Sequence, residues 1–454
     1  MKTKQLRMIL FASLCVVVLI ASCAQAQETQ APVVEPETVA PSEPVAPVEE
    51  DEPEVMPEGY GVIPEVTVKF AMEPYPDHTD SIIAVEKGWF EDVGINFEWS
   101  MVDADKVSSV LVAGTADMAS AGPSLLIPSM KQHEFQNFVM GGLFQGYAIM
   151  AQPDAGYKTF TEFLETGITP EEAVKETIRQ MEGKVFGYPP EAAIKPFIDL
   201  CFAKAGMTLD DVVSEVQQDS NTVALMMAKR VDFQVGGVPS RITLQSSGMI
   251  PIISSAELLK TASASSDNED IRSISHNGWT TTKAYAEANH DTILRMASVK
   301  FRLNQFMHDN QVEAISIHIP FLNQQSGSNF TDSEGEVIYN SLIPVQIFDD
   351  QSVWFEDESD PTYWRYELES VIKLYESQGL FEVNQFKAED ISMAPVVWKE
   401  LVELRAKADE NLAKLENATG LAAELRDLAK EQYSYFNFLD AERFSAQALT
   451  LIGN

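Results

Sequence analysis

The sequence predicts an α/β protein with a C-terminal all-α extension. From residue 64 onward, short β-branched runs alternate with helical stretches closed by glycine, and residues 396–452 are helical in composition almost throughout. The 454 residues are 45% hydrophobic and 22% charged. That composition fills ordinary cores, and the length allows about three domains of roughly 150 residues each.

The N-terminus reads as an address. Lys2, Lys4 and Arg7 precede the apolar residues 8–21, and the segment ends in Leu19-Ile20-Ala21-Ser22-Cys23. It resembles a bacterial lipoprotein signal. The resemblance implies removal of residues 1–22 and lipidation of Cys23, where more than one acyl chain gives stable attachment and a single chain only marginal attachment. An ordinary secretory cut after Ala24 or Ala26 is the alternative, because Ala24-Gln25-Ala26 also fits the small-residue rule. Residues 28–58 hold seven prolines and ten acidic residues, with no lysine or arginine. Proline and like charge extend such a chain, and it carries too little apolar surface to order itself. Residues 23–63 are therefore expected to form a disordered tether.

Beyond the tether the elements alternate. Residues 66–71 alternate like a strand, Thr79 or Asp80 can cap the helix carrying Ile82, Ile83 and Val85, and Gly88 ends that helix. A second strand follows Gly94, a helix spans 105–113 up to Gly114, and 116–120 is a short buried strand. This βαβαβ order predicts parallel neighbours in one sheet. In the tail, Leu401, Leu404, Ala408, Leu412 and Leu415 keep a three-four spacing. Ala441 and Ala448 sit seven apart, a weak likeness to half a tetratricopeptide unit. One such unit cannot bury its own face, so packing on the preceding lobes is expected.

The strings "AVEKGWFEDVGINFEW", "VLVAGTADMASAGPSLL", "GYAIMAQPDAGYKT", "MEGKVFGYPPEAAIKPFIDLCFAKAGM", "ALMMAKRVDFQVGGVPSR" and "TKAYAEANHDTILRMASVKFRLNQFM" follow one another over about residues 64–309. In that order they resemble the solute-binding proteins of ABC importers, in the branch that handles sulfonates, taurine, nitrate and thiamine-pyrimidine precursors. The resemblance implies a two-lobed periplasmic-binding-protein type II fold that closes on a ligand about two crossover strands, placed here near 150–158 and 249–256. Lobe 1 is then 64–150 plus 256–345, lobe 2 is 151–255, residues 346–395 extend lobe 1, and 396–454 form the helical tail. Residues 159–179, an extra helical insertion, and the chain beyond roughly 315 depart from the pattern.

Ligands of open α/β sheets gather beyond the carboxyl ends of strands. Four segments answer to that description: 74–80, 120–124, 188–191 and 236–241. They nominate Tyr75, His78, Ser120, Gly122, Ser124, Tyr188, Glu191, Gly237 and Arg241 as ligand-binding residues. Gly122-Pro123 suits a helix start that frees the Ser124 and Leu125 amides. Each nominee has a structural alternative: His78 as a surface or capping histidine, the tyrosines as packing, Gly236-Gly237 as a plain turn. Cys201 shares a helical stripe with Ile194, Phe197 and Ile198 and belongs to the core. The expected ligand is small, polar or partly aromatic, with one anionic or strongly accepting group held by Arg241. A cationic ligand would instead need converging carboxylates, for which Asp77, Asp80 and Glu191 are available.

Composition also excludes. Against 69 acidic residues stand 32 lysines and arginines, a net charge of −37, which rules out a broad basic face for nucleic acid. Cys15, Cys23 and Cys201 are too few for a disulfide scaffold. The six histidines show no zinc spacing, and neither a nucleophile-elbow nor a phosphate-loop motif occurs. The acidic run 349–360 places Trp354 and Asp360 where a calcium loop needs glycine and glutamate, and reads as a solvated loop. No catalytic residue, metal site or cofactor is expected. The sequence thus reads as an extracytoplasmic lipoprotein that binds a small molecule. Its partners are ABC permease subunits and, through the N-terminal lipid, the membrane. A ligand-sensing receptor without transport and an enzyme on the same fold are the alternatives. The cysteine-rich motif that a pyrimidine synthase resemblance would imply is missing.

Overall fold

Among the described residues ten strands build two sheets on the same plan. In chain order they are β1 (Val66–Met72), β2 (Ile95–Met101), β3 (Met118–Ser120), β4 (Phe135–Phe144), β5 (Ala148–Ala151), β6 (Val185–Tyr188), β7 (Val213–Val216), β8 (Phe233–Val235), β9 (Ile250–Ser254) and β10 (Ser275–Thr282). The first sheet has the order β2-β1-β3-β10-β4 and the second β7-β6-β8-β5-β9. The first three strands of each run parallel, and β10 and β5 lie antiparallel to both of their neighbours. The expected βαβαβ run is the parallel part of the first sheet. The computed structural model describes residues 55–260 and 262–453. The expected signal segment, Cys23 and the expected tether up to residue 54 lie outside the described residues.

The chain leaves the first sheet at Phe144 and enters the second at Ala148, so the first crossover is residues 145–147. It comes earlier than the expected 150–158, because the buried Ala148–Ala151 already pairs with β8 and β9. The return follows β9 and spans residues 255–274. Local signals act as expected in the insertion 159–179, where Thr159 with Glu162 and Thr169 with Glu172 form capping boxes that open two helices. They fail at Ser81–Glu86, whose first turn receives no side-chain cap. Thr79 Oγ1 donates instead to the Tyr75 carbonyl at 2.8 Å, and Asp80 pairs with Lys300 in the core. Both side chains are buried, and a buried carboxylate gains more from an ammonium than from a peptide amide.

The tail packs on its own lobe through the helices Ala394–Lys414, Gly420–Ser434 and Phe438–Ile452. Its contact goes deeper than that of an appendage. Trp398, Leu401, Phe438 and Leu439 belong to the main core, with the Phe438 ring 5.3 Å from that of Phe348. Arg295 and Asp440, 3% and 1% exposed, form a two-pronged ion pair at 2.8 and 3.0 Å. The last residues of the expected tether are ordered here as well. Met56 and Tyr60 pack on the cluster of Leu415, Ala422, Leu425 and Ala448, and the Gly61 amide donates to Gln447 at 2.9 Å. Those two side chains supply the apolar surface that the preceding residues lack.

The acidic run departs from a solvated loop. The helix Ser352–Phe355 buries Trp354 against His276, ring centroids 4.9 Å apart, while Asp349 remains outside to pair with Arg405. Cys201 is fully buried, and that burial pushes its thiol well above the ordinary range.

Candidate ligand-binding cleft

The loops that follow β1, β3, β6 and β8 face one another across the two lobes. With Phe144 at the end of β4 and Tyr147 from the first crossover they enclose a chamber of about 50 Å³, room for one or two water-sized groups at about 30 Å³ each. Lobe 1 contributes Glu73, Tyr75, Asp77, His78, Gly122 and Asn277, and lobe 2 contributes Glu191 and Gly237. An outer pocket of about 560 Å³ adjoins it, sharing Tyr75, Ala104 and Glu191 and bordered by Asp219 and Ser240. Where the two spaces meet, the Tyr75 hydroxyl donates to the Glu191 carboxylate, from one lobe to the other. Burial, then the charge of Glu191, pushes the phenol well above its ordinary value, so it keeps the proton it donates.

The first loop is held from behind. The His78 and Thr79 amides and the Thr79 hydroxyl all donate to the Tyr75 carbonyl. Burial brings the His318 imidazole down to about 3, with Lys300 adding to it. The ring is therefore neutral: Nε2–H donates to Thr79 Oγ1 at 2.8 Å and Nδ1 accepts from Tyr339 at 2.6 Å. His78 is the opposite case. Burial lowers it, but Asp77 and Glu73 outweigh that and hold it well above its ordinary value. Its Nδ1 lies 2.6 Å from the Ser120 carbonyl and 3.0 Å from Glu73, and its Nε2 lies 3.2 Å from Asp77. Burial pushes the Asp77 carboxyl up, yet His78, together with the Asn277 amide at 2.8 Å, brings it below the usual range. Among the described residues Asp77 Oδ1 has no hydrogen-bond partner.

Lobe 2 answers with carboxylates. Asp219, the first residue of the helix Asp219–Met227, accepts from the Gly237 amide at 3.1 Å. The glycine pair exists for close approach. A β-carbon on Gly236 would fall 1.9 Å from Asp219 Oδ1, and one on Gly237 would fall 2.8 Å from the Tyr75 ring. Burial pushes Glu191 up to about 8, with the neighbouring Asp219 charge adding to it. Burial raises Asp219 as well, against the pull of Ser240 and the Gly237 amide.

Of the residues nominated from sequence, the structure gathers Tyr75, His78, Gly122, Glu191 and Gly237 around the chamber. Ser120 is fully buried and offers His78 its carbonyl rather than its hydroxyl. Ser124 turns its hydroxyl to Glu367, away from the chamber. Tyr188 borders a separate groove with Pro189 and Tyr375. Arg241 is a correction of substance. Its Nη1 donates to the Gly146 carbonyl of the first crossover at 2.9 Å, because its turn of the helix Val238–Ser246 faces that crossover. Among the described residues neither the chamber nor the outer pocket has a lysine or arginine in its lining, so the expected anionic group meets only His78, which is already paired with Glu73 and Asp77. Asp80, nominated for a cation, is already paired with Lys300.

Polar residues that the sequence did not nominate are Glu73 and Asn277 of the chamber and Asp219 of the outer pocket. Glu73 lies one residue before the nominated segment, and Asp219 follows β7 by the same strand-end rule. Asn277 sits inside β10, a strand with no local ligand signal. Among the described residues no group of histidine, cysteine and acidic side chains is arranged to hold a metal ion. Among the same residues no helix is long and apolar enough to cross a membrane.

The family model described as NMT1/THI5 like matches residues 75–314, more than half of the chain. A comparison with curated protein sequences gives no match. Among solved structures, the periplasmic nitrate-binding protein NrtA from Synechocystis PCC 6803 is similar at 14% identity and TM-score 0.52, over 74% of this chain and 88% of that one. A putative periplasmic sulfonate-binding protein SsuA from Methylobacillus flagellatus KT is similar at 14% identity and TM-score 0.50, over 76% and 96%. A protein of Bordetella bronchiseptica RB50 is similar at 16% identity and TM-score 0.52, over 76% and 100%. At these identities the likeness is one of fold.

Proposed function

Because the chain belongs to the NMT1/THI5-like family, we propose that it is an extracytoplasmic solute-binding lipoprotein that hands a small molecule to the permease subunits of an ABC importer. The observation that carries the reading is the Tyr75–Glu191 hydrogen bond across a chamber walled by both lobes. A site divided in this way binds by closing: a ligand that touches both walls favours the closed arrangement by its differential affinity for it. The work is capture and release, so the ligand should be recovered chemically unchanged.

Native mass spectrometry of the protein purified without refolding tests the reading, followed by small-angle scattering with and without the co-purified molecule. A retained small molecule whose addition reduces the radius of gyration supports it. A protein that neither carries nor responds to any small molecule, or that converts the one it carries, sinks it. Attachment is a separate matter resting on Cys23. Cys23→Ser should shift the protein to the soluble extracytoplasmic fraction or leave its signal uncut, and unchanged membrane retention would refute lipidation at that residue.

A further inference from the structure

Building on the solute-binding reading, we infer that the cleft selects a protonated amine, whose ammonium head enters the inner chamber and whose body lies in the outer pocket. The charge around the two spaces is one-sided. Glu73, Asp77 and Glu191 line the chamber and Asp219 borders the outer pocket, while among the described residues no lysine or arginine lines either. The one cationic side chain, His78, is already shared between Glu73 and Asp77. An anion placed there would add like charge in a desolvated space, where such repulsion is least screened.

Asp77 gives a second and independent sign. Its side chain is 5% exposed, it lines the chamber, and its Oδ1 has no partner among the described residues. Across the cleft Asp219 Oδ1 is likewise buried and unpartnered. A buried acceptor left in this state is destabilising, and an N–H donor entering from the cleft satisfies it. Size and walls agree: about 50 Å³ accommodates an ammonium head, and the rings of Tyr75, Phe144 and Tyr147 offer the faces on which organic cations rest. The carboxylates are not arranged as a metal site among the described residues, which favours an organic cation over a divalent ion. The raised values of Glu191 and Asp219 fit the same picture. Burial makes both groups hold protons more readily, with Asp219 adding to it at Glu191, and an ammonium takes the place of that proton.

Calorimetric titration of the full chain with benzylammonium, benzyl alcohol and benzoate separates head from body, because the three probes differ only in the head. Benzylammonium should bind about tenfold or more tighter than benzoate, with affinity rising between about pH 5 and pH 8 as the carboxylates lose protons. Asp77→Asn should weaken benzylammonium about tenfold or more. Asp219→Asn, on the other lobe and outside the His78 ion pairs, should weaken it as well. Benzoate binding as tightly as benzylammonium, no benzylammonium binding at millimolar concentration, or full affinity in both variants would overturn the inference. An anionic molecule found on the purified protein would overturn it too, while leaving the solute-binding reading intact.

Discussion

Gly237 of one lobe rests on the Tyr75 ring of the other, so closely that a β-carbon would come within 2.8 Å of Cε1 and 3.1 Å of Cδ1. The backbone of Gly237 is ordinary for a helix N-cap, φ −68° being the value at Gly122 and φ −65° here. The residue is thus glycine for space. Gly237→Ala should leave each lobe folded and hinder their approach, at about 1–3 kcal/mol for the overpacked contact. Scattering should show a larger radius of gyration than wild type at unchanged circular dichroism. An equally compact variant would mean that Tyr75 yields without cost.

Tyr75→Phe keeps the ring and removes the donor. Glu191 then loses its hydrogen bond from the other lobe while staying buried, a change of about 1–3 kcal/mol against the closed form. Ligand affinity should fall accordingly, and hydrogen exchange in the loop after β6 should quicken. Unchanged exchange there would show that the Tyr75–Glu191 contact does not hold the lobes.

Closure should depend on pH with a definite sign. Glu191 is raised to about 8 by burial first and by Asp219 second, and Asp219 is raised as well. A carboxyl that is raised on closing takes up a proton, so closing is opposed once the open-form carboxyls, with ordinary values of about 4, have ionised. The ligand-free closed form should therefore lose ground as pH rises from about 4 to about 8, and change little beyond. Across the cleft Glu73 adds to the rise at Glu191 and His78 opposes it, both less than burial and Asp219. Distance measurements between spin labels on the two lobes across that range provide the check, and a flat profile would contradict it.

Arg295→Met should destabilise lobe 1 by about 3–5 kcal/mol, because the buried Asp440 loses its two-pronged partner and keeps only the Asn437 amide and the more distant Arg443. Adding Asp440→Leu removes the stranded charge and should restore much of the loss. Thermal unfolding of the two variants reports both numbers, and a double variant no better than the single one would place the cost in packing instead.

The legible part of the site was its location. Strand-end loops could be nominated because the βαβ pattern is local, and glycine and proline mark where a strand gives way to a helix. Which side chain turns into the cleft was not legible, since that follows from partners far away in sequence. Ser124 points to Glu367, Asp80 to Lys300 and Arg241 to Gly146. None of those pairings leaves a trace in the loop itself. Charge misled for the same reason: Arg241 is the one cation in its segment, yet its helical turn faces the crossover. The tail shows a third limit. Its three-four spacing announced a buried face, but that Phe438 and Leu439 join the same core as Phe348 depends on tertiary contacts alone.

The Gly61–Gln447 hydrogen bond joins positions 386 residues apart, and Arg295–Asp440 fastens the last helix to the body of lobe 1. Folding order follows from this. Lobe 2 is one continuous stretch between the two crossovers and can form while the rest of the chain is still being delivered. Lobe 1 cannot finish until its final helix arrives, since its core stays open where Phe438 and Leu439 belong. A chain emerging N-terminus first would thus pass through a state with one finished lobe and one exposed core. The C-terminal helix is the piece that ends that exposure.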